Sequence, residues 1–173
     1  MKIAVQQTYQ WRPALKDLVP ANKPFLSNCV GFLATLLPAK DALQKPLSCL
    51  ASHIRRSIVE QGSREQIEAY GSLIRLQPRD RAPPLFGNSS MQLLMFSNWK
   101  KIDMFGVDLS AAAAKVRDTP LVPSYVQSIQ GPYNFNDGFI IVGNDAGGNY
   151  WFSAYRVKGL WEMMDKEMAK EEI

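Results

Sequence analysis

Between Cys29 and Leu76 the chain changes its hydrophobic period, and few folds accommodate that change. The run Cys29 to Leu37 (Cys-Val-Gly-Phe-Leu-Ala-Thr-Leu-Leu) is continuous, apolar and short, bounded by Asn28 and Pro38, which predicts a buried strand. Leu43, Leu47, Leu50, Ile54 and Ile58 then recur at three- and four-residue steps, the spacing of one continuous helical stripe. Proline is tolerated only in the first turn of a helix, so Pro46 sets the start near Lys45, and Gly62 ends it. Ser63-Arg64-Glu65-Gln66 reads as an N-cap with a Gln three residues on, opening a second helix through about Leu76.

The flanks are mostly β-type. A first strand is expected over about 2–9, followed by a loop punctuated by Pro13, Pro20 and Pro24. Pro78, Pro83, Pro84 and Gly87 mark a second loop, after which Met91 to Phe96 is the next strand. Further strands are expected at Tyr125–Ile129, Phe139–Val142 and Tyr150–Arg156, the last two joined through the turn Asn144-Asp-Ala-Gly-Gly-Asn149. From Lys158 the tail reads as a helix with Leu160, Trp161, Met164 and Met168 on its apolar side. Strands on both sides of two helices, with one late hairpin, predict an α/β (α+β) sandwich: a mixed β-sheet flanked by helices, one domain over 1–173.

Composition narrows the function classes. With 46% apolar and 21% charged residues in 173, the chain can bury a core and is not disordered. The net charge of +4 fits an ordinary basic surface or a phosphate-bearing partner. No Lys/Arg stripe interleaved with aromatics and no zinc or helix-turn-helix spacing favours nucleic acid. Cys29 and Cys49 are too few for a disulfide scaffold and fit a reducing compartment. The opening apolar run is too short for a signal peptide, and no stretch approaches the length of a membrane span, so a cytoplasmic location is expected.

His53, the one histidine, reads as a helix-surface or boundary residue: the fourth position after it is Ser57, so it begins no HxxxD motif. Cys49 lies one helical turn from His53, which leaves a Cys/His nucleophile pair open beside the plainer reading of a small buried hydrophobe. No metal ligand set assembles from one His and two separated Cys. Gly143 to Gly148 is glycine-rich but lacks the lysine and following helix of a phosphate loop, and reads as a turn.

An ordered series of partial matches resembles the C-terminal half of a BAHD-type acyl-CoA-dependent acyltransferase, nearer the fungal trichothecene acetyltransferase-like members. Gln10-Trp11-Arg12-Pro13 is similar to the family strand that closes on an arginine, and Phe25-Leu26-Ser27-Asn28 to its Tyr/Phe-x-Gly-Asn segment, with Ser27 in place of Gly. Leu43 to Ile58 resembles the helix of the type PL..aA..IR..I, and Ser97-Asn98-Trp99 falls at the family's Thr-Ser-Trp. Asp108 stands at the Asp of DFGWG, but Leu109-Ser110-Ala111-Ala112 replaces the rest of that motif. The resemblance spans about residues 2 to 157.

The resemblance implies a domain like one half of chloramphenicol acetyltransferase, with the HxxxD-bearing half outside residues 1–173 and no catalytic base in this chain. The strand that opens at Lys2 without a preceding cap is expected to follow something upstream. It also implies acyl transfer from an acyl-CoA co-substrate to an alcohol or amine of a small acceptor, with no tightly bound cofactor. Ser97 and the Trp99 indole N–H are then expected to contact the oxyanion or the acceptor. From the residues alone, Trp99 reads as a core anchor and Ser97 as a strand end. Asn28, Arg12 and Asp108 are expected to be structural, Arg12 pairing with Asp108, unless Asp108 is an exposed surface carboxylate. Arg79, Arg81 and Lys115, with Arg75, are expected to contact CoA phosphates. A degenerate, non-catalytic half-domain acting as an interaction module is the alternative.

Overall fold

The structure, a computed structural model, describes residues 1–77, 83–128 and 137–171. It divides into two compact units, Met1–Leu94 and Met95–Ile173.

In the first unit β1 (Lys2–Gln10) and β2 (Val30–Pro38) run antiparallel, with Val5 opposite Thr35 and Gln7 opposite Leu33. The alternation of β2 puts Gly31, Leu33, Thr35 and Leu37 inward, so an apolar run that reads as continuous is half-buried strand by strand geometry. The helices α1 (Ala39–Gln44), α2 (Leu47–Gln61) and α3 (Arg64–Leu76) follow. Leu33 and Leu37 are each 2% exposed and Ile67 is 3% exposed, and with Ala4 and Val5 they make the core of this unit.

The expected single stripe from Leu43 to Ile58 is corrected by two helices. Lys45 is extended (ψ 155°) because a residue before proline is pushed out of the helical region, so the chain breaks there and restarts after Pro46. Leu43 and Leu47 are 82% and 78% exposed as a result, and the inward side of α2 runs through Leu50, Ile54, Ser57 and Ile58. The N-cap of α3 follows expectation, Ser63 Oγ accepting from the Gln66 N–H at 3.4 Å.

In the second unit the last part of β3 (Gln92–Asn98), from Met95 on, pairs in parallel with β4 (Gly138–Asn144), Ser97 lying opposite Ile140. β4 pairs antiparallel with β5 (Tyr150–Tyr155), with a bulge between Ile141 and Gly143. The helix α4 (Leu160–Glu171) closes the unit. One side of these strands stacks Phe96, Phe139 and Phe152, with centroids 4.9 and 5.2 Å apart. The other buries Ile140 and Val142 under Phe105, Trp99 and Trp151. Gly148 holds φ +81° in the β4–β5 turn, a conformation that favours glycine. Parallel and antiparallel pairing with flanking helices is the mixed α+β architecture expected.

The expected strand at Tyr125–Ile129 is a second correction: residues 125–128 form no strand, and Ile129 lies outside the described residues. Tyr125 instead turns its ring edge-on to Trp151 at 5.4 Å and its hydroxyl to Gln127 at 2.9 Å. No helix among the described residues is long and apolar enough to cross a membrane.

Candidate active-site segment

The segment Ser97-Asn98-Trp99 ends β3. Residues two apart share a strand face, so Ser97 and Trp99 point the same way and the indole Nε1–H donates to Ser97 Oγ at 2.8 Å. The same indole packs on the Phe105, Ile140 and Val142 cluster, and the Trp99 N–H continues the ladder to the Ile141 carbonyl at 2.8 Å. Trp99 thus packs on that cluster while its indole N–H is held by Ser97 Oγ. Asn98, on the opposite face, accepts from the Lys100 N–H at 3.0 Å and starts the 3₁₀ turn Lys100–Ile102.

Asp108 is exposed and ties its own loop. Its Oδ1 accepts from the Ser110 N–H at 2.8 Å and the Leu121 N–H at 3.3 Å. Ser110 Oγ also accepts from Leu121 at 2.9 Å. Hydrogen bonds from Ser110 first, then from Leu121, hold the Asp108 carboxyl below the usual carboxylate range. Arg12 is likewise occupied locally: one guanidinium nitrogen donates to the carbonyls of Pro20 and Lys23, each at 2.6 Å, and of Ala21 at 3.3 Å. Each of the two residues is thus bonded to backbone of its own loop. The Asp-x-Ser spacing at 108–110 is an Asx-turn signal that could have pointed to this.

Asn28 is exposed just before β2, and Lys115 is exposed in a bend. Arg79 and Arg81 lie outside the described residues, and Arg75 donates to Ser72 Oγ at 2.8 Å. His53 and Cys49 are half-buried on α2.

Two features carried no signal in the resemblance. Asp145, in the β4–β5 turn, gathers the Trp151 indole N–H at 3.0 Å and the backbone N–H groups of Gly147 and Asn149, each at 2.9 Å. Those bonds, the one from Trp151 foremost, keep its carboxyl low. At the same turn Lys100 Nζ reaches the Tyr150 hydroxyl at 3.1 Å, which lowers the phenol from its ordinary value.

No family model matches the chain. It is 34% identical over 168 residues to the protein named transcriptional regulator calD of Penicillium decumbens, covering 91% of this chain and 34% of that protein. It is 33% identical over 180 residues to acetyltransferase sphE of Aspergillus fumigatus, covering 96% of this chain and 35% of that protein. O-acyltransferase ausP of Penicillium brasilianum is 33% identical over 155 residues, 88% of this chain and 31% of that protein. The chain thus spans about a third of the length of the curated relatives it matches. Among solved structures, the F. sporotrichioides TRI101 complex with coenzyme A and T-2 superposes with a TM-score of 0.68 at 15% identity, over 99% of this chain and 37% of that one. Vinorine synthase superposes at 0.58 and 13% identity, over 94% and 33%. The chain is a relative of fungal acetyltransferases and O-acyltransferases and carries the fold of the BAHD-type acyltransferases.

Proposed function

We propose that residues 1–173 are the C-terminal half of a two-domain acyltransferase moving an acyl group from a coenzyme A thioester to an alcohol or amine of a small, secondary-metabolite-like acceptor. The observation that carries this reading is the 33% identity to an acetyltransferase along 96% of the chain. In this reading the HxxxD-bearing half, in cis or in trans, supplies the base, and residues 1–173 alone are inactive. The acceptor oxygen or nitrogen attacks the thioester carbon and gives its proton to that base. The C–S bond then breaks, and coenzyme A leaves as the thiol with the same proton. Ser97 contributes its hydroxyl at the wall of the site, and Trp99 is the positioning residue that orients it through the 2.8 Å bond. Arg12, Asn28 and Asp108 shape the surrounding loops. Lys115, Arg79 and Arg81 provide positive charge for the coenzyme A phosphates, and the enzyme works in the cytoplasm.

A non-catalytic module is favoured by one specific observation: of the DFGWG segment only Asp108 remains, and its carboxylate closes a local loop. The two readings separate on the native gene product purified from the source cells. Intact mass tells whether it exceeds 19.4 kDa, and release of free coenzyme A from acetyl-CoA is followed with a panel of hydroxylated terpenoids. A longer polypeptide whose turnover falls at least tenfold on Trp99→Phe, with its melting curve kept, supports the enzyme. Absence of thiol release with every acceptor supports the module.

A further inference from the structure

A cavity of about 410 Å³ lies within the first unit, away from every residue used in the acyl-transfer reading except the neighbour of Arg12, Trp11. The wall is close-fitting at one point. The Trp11 indole rests on Gly31, where an added Cβ would come within 1.8 Å of the ring, so glycine makes the space the indole occupies. Tyr70 on α3 meets Trp11 edge-on, centroids 5.9 Å apart at 75°, and Phe86 lies beyond it at 6.4 Å.

Three observations define an occupant. The Tyr70 hydroxyl is buried and has no hydrogen-bond partner among the described residues, and burial pushes its phenol up, so it stays a protonated donor in want of an acceptor. The outer edge of β2 is closed to an added peptide strand, because the Gln61 side-chain amide already takes both backbone groups of Ala34: Oε1 from the N–H at 2.9 Å, Nε2 to the carbonyl at 2.7 Å. The volume and aromatic lining are those of a small-molecule site. Phe86, 42% exposed and tilted against Tyr70, is the ring of the three that opens to solvent.

We infer that this cavity binds a compact, flat, mainly apolar molecule that presents one carbonyl oxygen to the Tyr70 hydroxyl. The reading is independent of acyl transfer and holds whether or not the chain is half an enzyme.

The test uses the full chain and two probes of one shape, 9-fluorenone with a carbonyl and fluorene without, titrated by tryptophan fluorescence. Fluorenone is expected to bind saturably and about fivefold more tightly than fluorene, and Tyr70→Phe to erase that difference while leaving fluorene unchanged. Ala69→Trp, which puts an indole into the cavity, is expected to abolish binding of both with the melting curve preserved. Absence of saturable binding, equal affinity for the two probes, or binding that survives Ala69→Trp in a folded protein overturns the inference. So does self-association of the wild type that Ala69→Trp abolishes, since the occupant is then a second copy.

Discussion

The two units solve the same problem differently. Met1–Leu94 is held by buried apolar side chains, Leu33, Leu37 and Val5 on one face of the β1–β2 pair, Ala4 on the other, and Ile67 from α3. Among the described residues Met95–Ile173 has a smaller buried apolar set, Phe105, Phe139, Ile140 and Val142, so ties by single side chains, a device the first unit also uses at Arg12 and Gln61, carry a larger share of its order. Asp108 gathers residues 110 and 121, and Asp145 gathers 147, 149 and 151. An apolar layer is stabilised by area removed from water and resists rearrangement, whereas each polar tie is worth about 1 kcal/mol and can be exchanged for another. The segment that resembles family chemistry lies in the unit of exchangeable ties.

Four substitutions probe that contrast, the largest expected effect first. Leu33→Ala should cost about 3 kcal/mol in denaturant unfolding, the range for emptying a fully buried leucine site. A loss below about 1 kcal/mol would mean the apolar layer is not what holds the first unit. Gly31→Ala forces a methyl into the Trp11 indole and should cost about 2 kcal/mol, with a shift in tryptophan emission as the ring is displaced. An unchanged spectrum would contradict the close approach. Trp99→Phe keeps the aromatic anchor but leaves Ser97 Oγ without the indole donor, so about 1 kcal/mol is expected. A loss comparable to that of Leu33→Ala would show the second unit to be core-dominated after all.

Asp145→Asn should have the smallest effect, and one that depends on pH. The folded carboxyl titrates below its ordinary value of 3.8, so its contribution is complete above that value and is lost as pH falls through the lower folded-state value. The gap in melting temperature between wild type and variant should therefore be open at pH 6 and close on acidification below pH 3.8. A gap that widens in acid would reverse the sign assigned to this carboxylate.

What the sequence disclosed follows from the range of the forces involved. β2, α2, α3 and the β4–β5 turn were legible because period, proline placement and capping are written within a few residues. The start of α2 near Lys45 was legible from Pro46, yet the regular leucine spacing across it made Leu43 and Leu47 read as part of the buried stripe. Tyr125–Ser128 has strand-like composition, but its ring belongs to Trp151, a partner more than twenty residues away. The Trp99–Ser97 bond follows from two-residue strand geometry once β3 is known, whereas the Tyr70 hydroxyl and its cavity depend on rings from three separated segments and leave no local trace. The resemblance pointed to 97–99 and to Asp108, and the geometry adds local bonds at both: the Trp99 indole to Ser97, and the Ser110 amide to Asp108.

The strand connections also set an order of events during folding. β4 and β5 are separated by the short turn that Asp145 organises, while β3 must wait for a connection of roughly forty residues to bring β4 alongside it. Closing that longer loop costs about 2 kcal/mol more entropy than closing the turn, since each doubling of length adds about 0.6 kcal/mol. The hairpin is therefore expected to close before β3 docks beside β4, and Ser97 and Trp99 reach their places with that docking. A newly made chain would complete its candidate reactive edge only after the β4–β5 hairpin had formed.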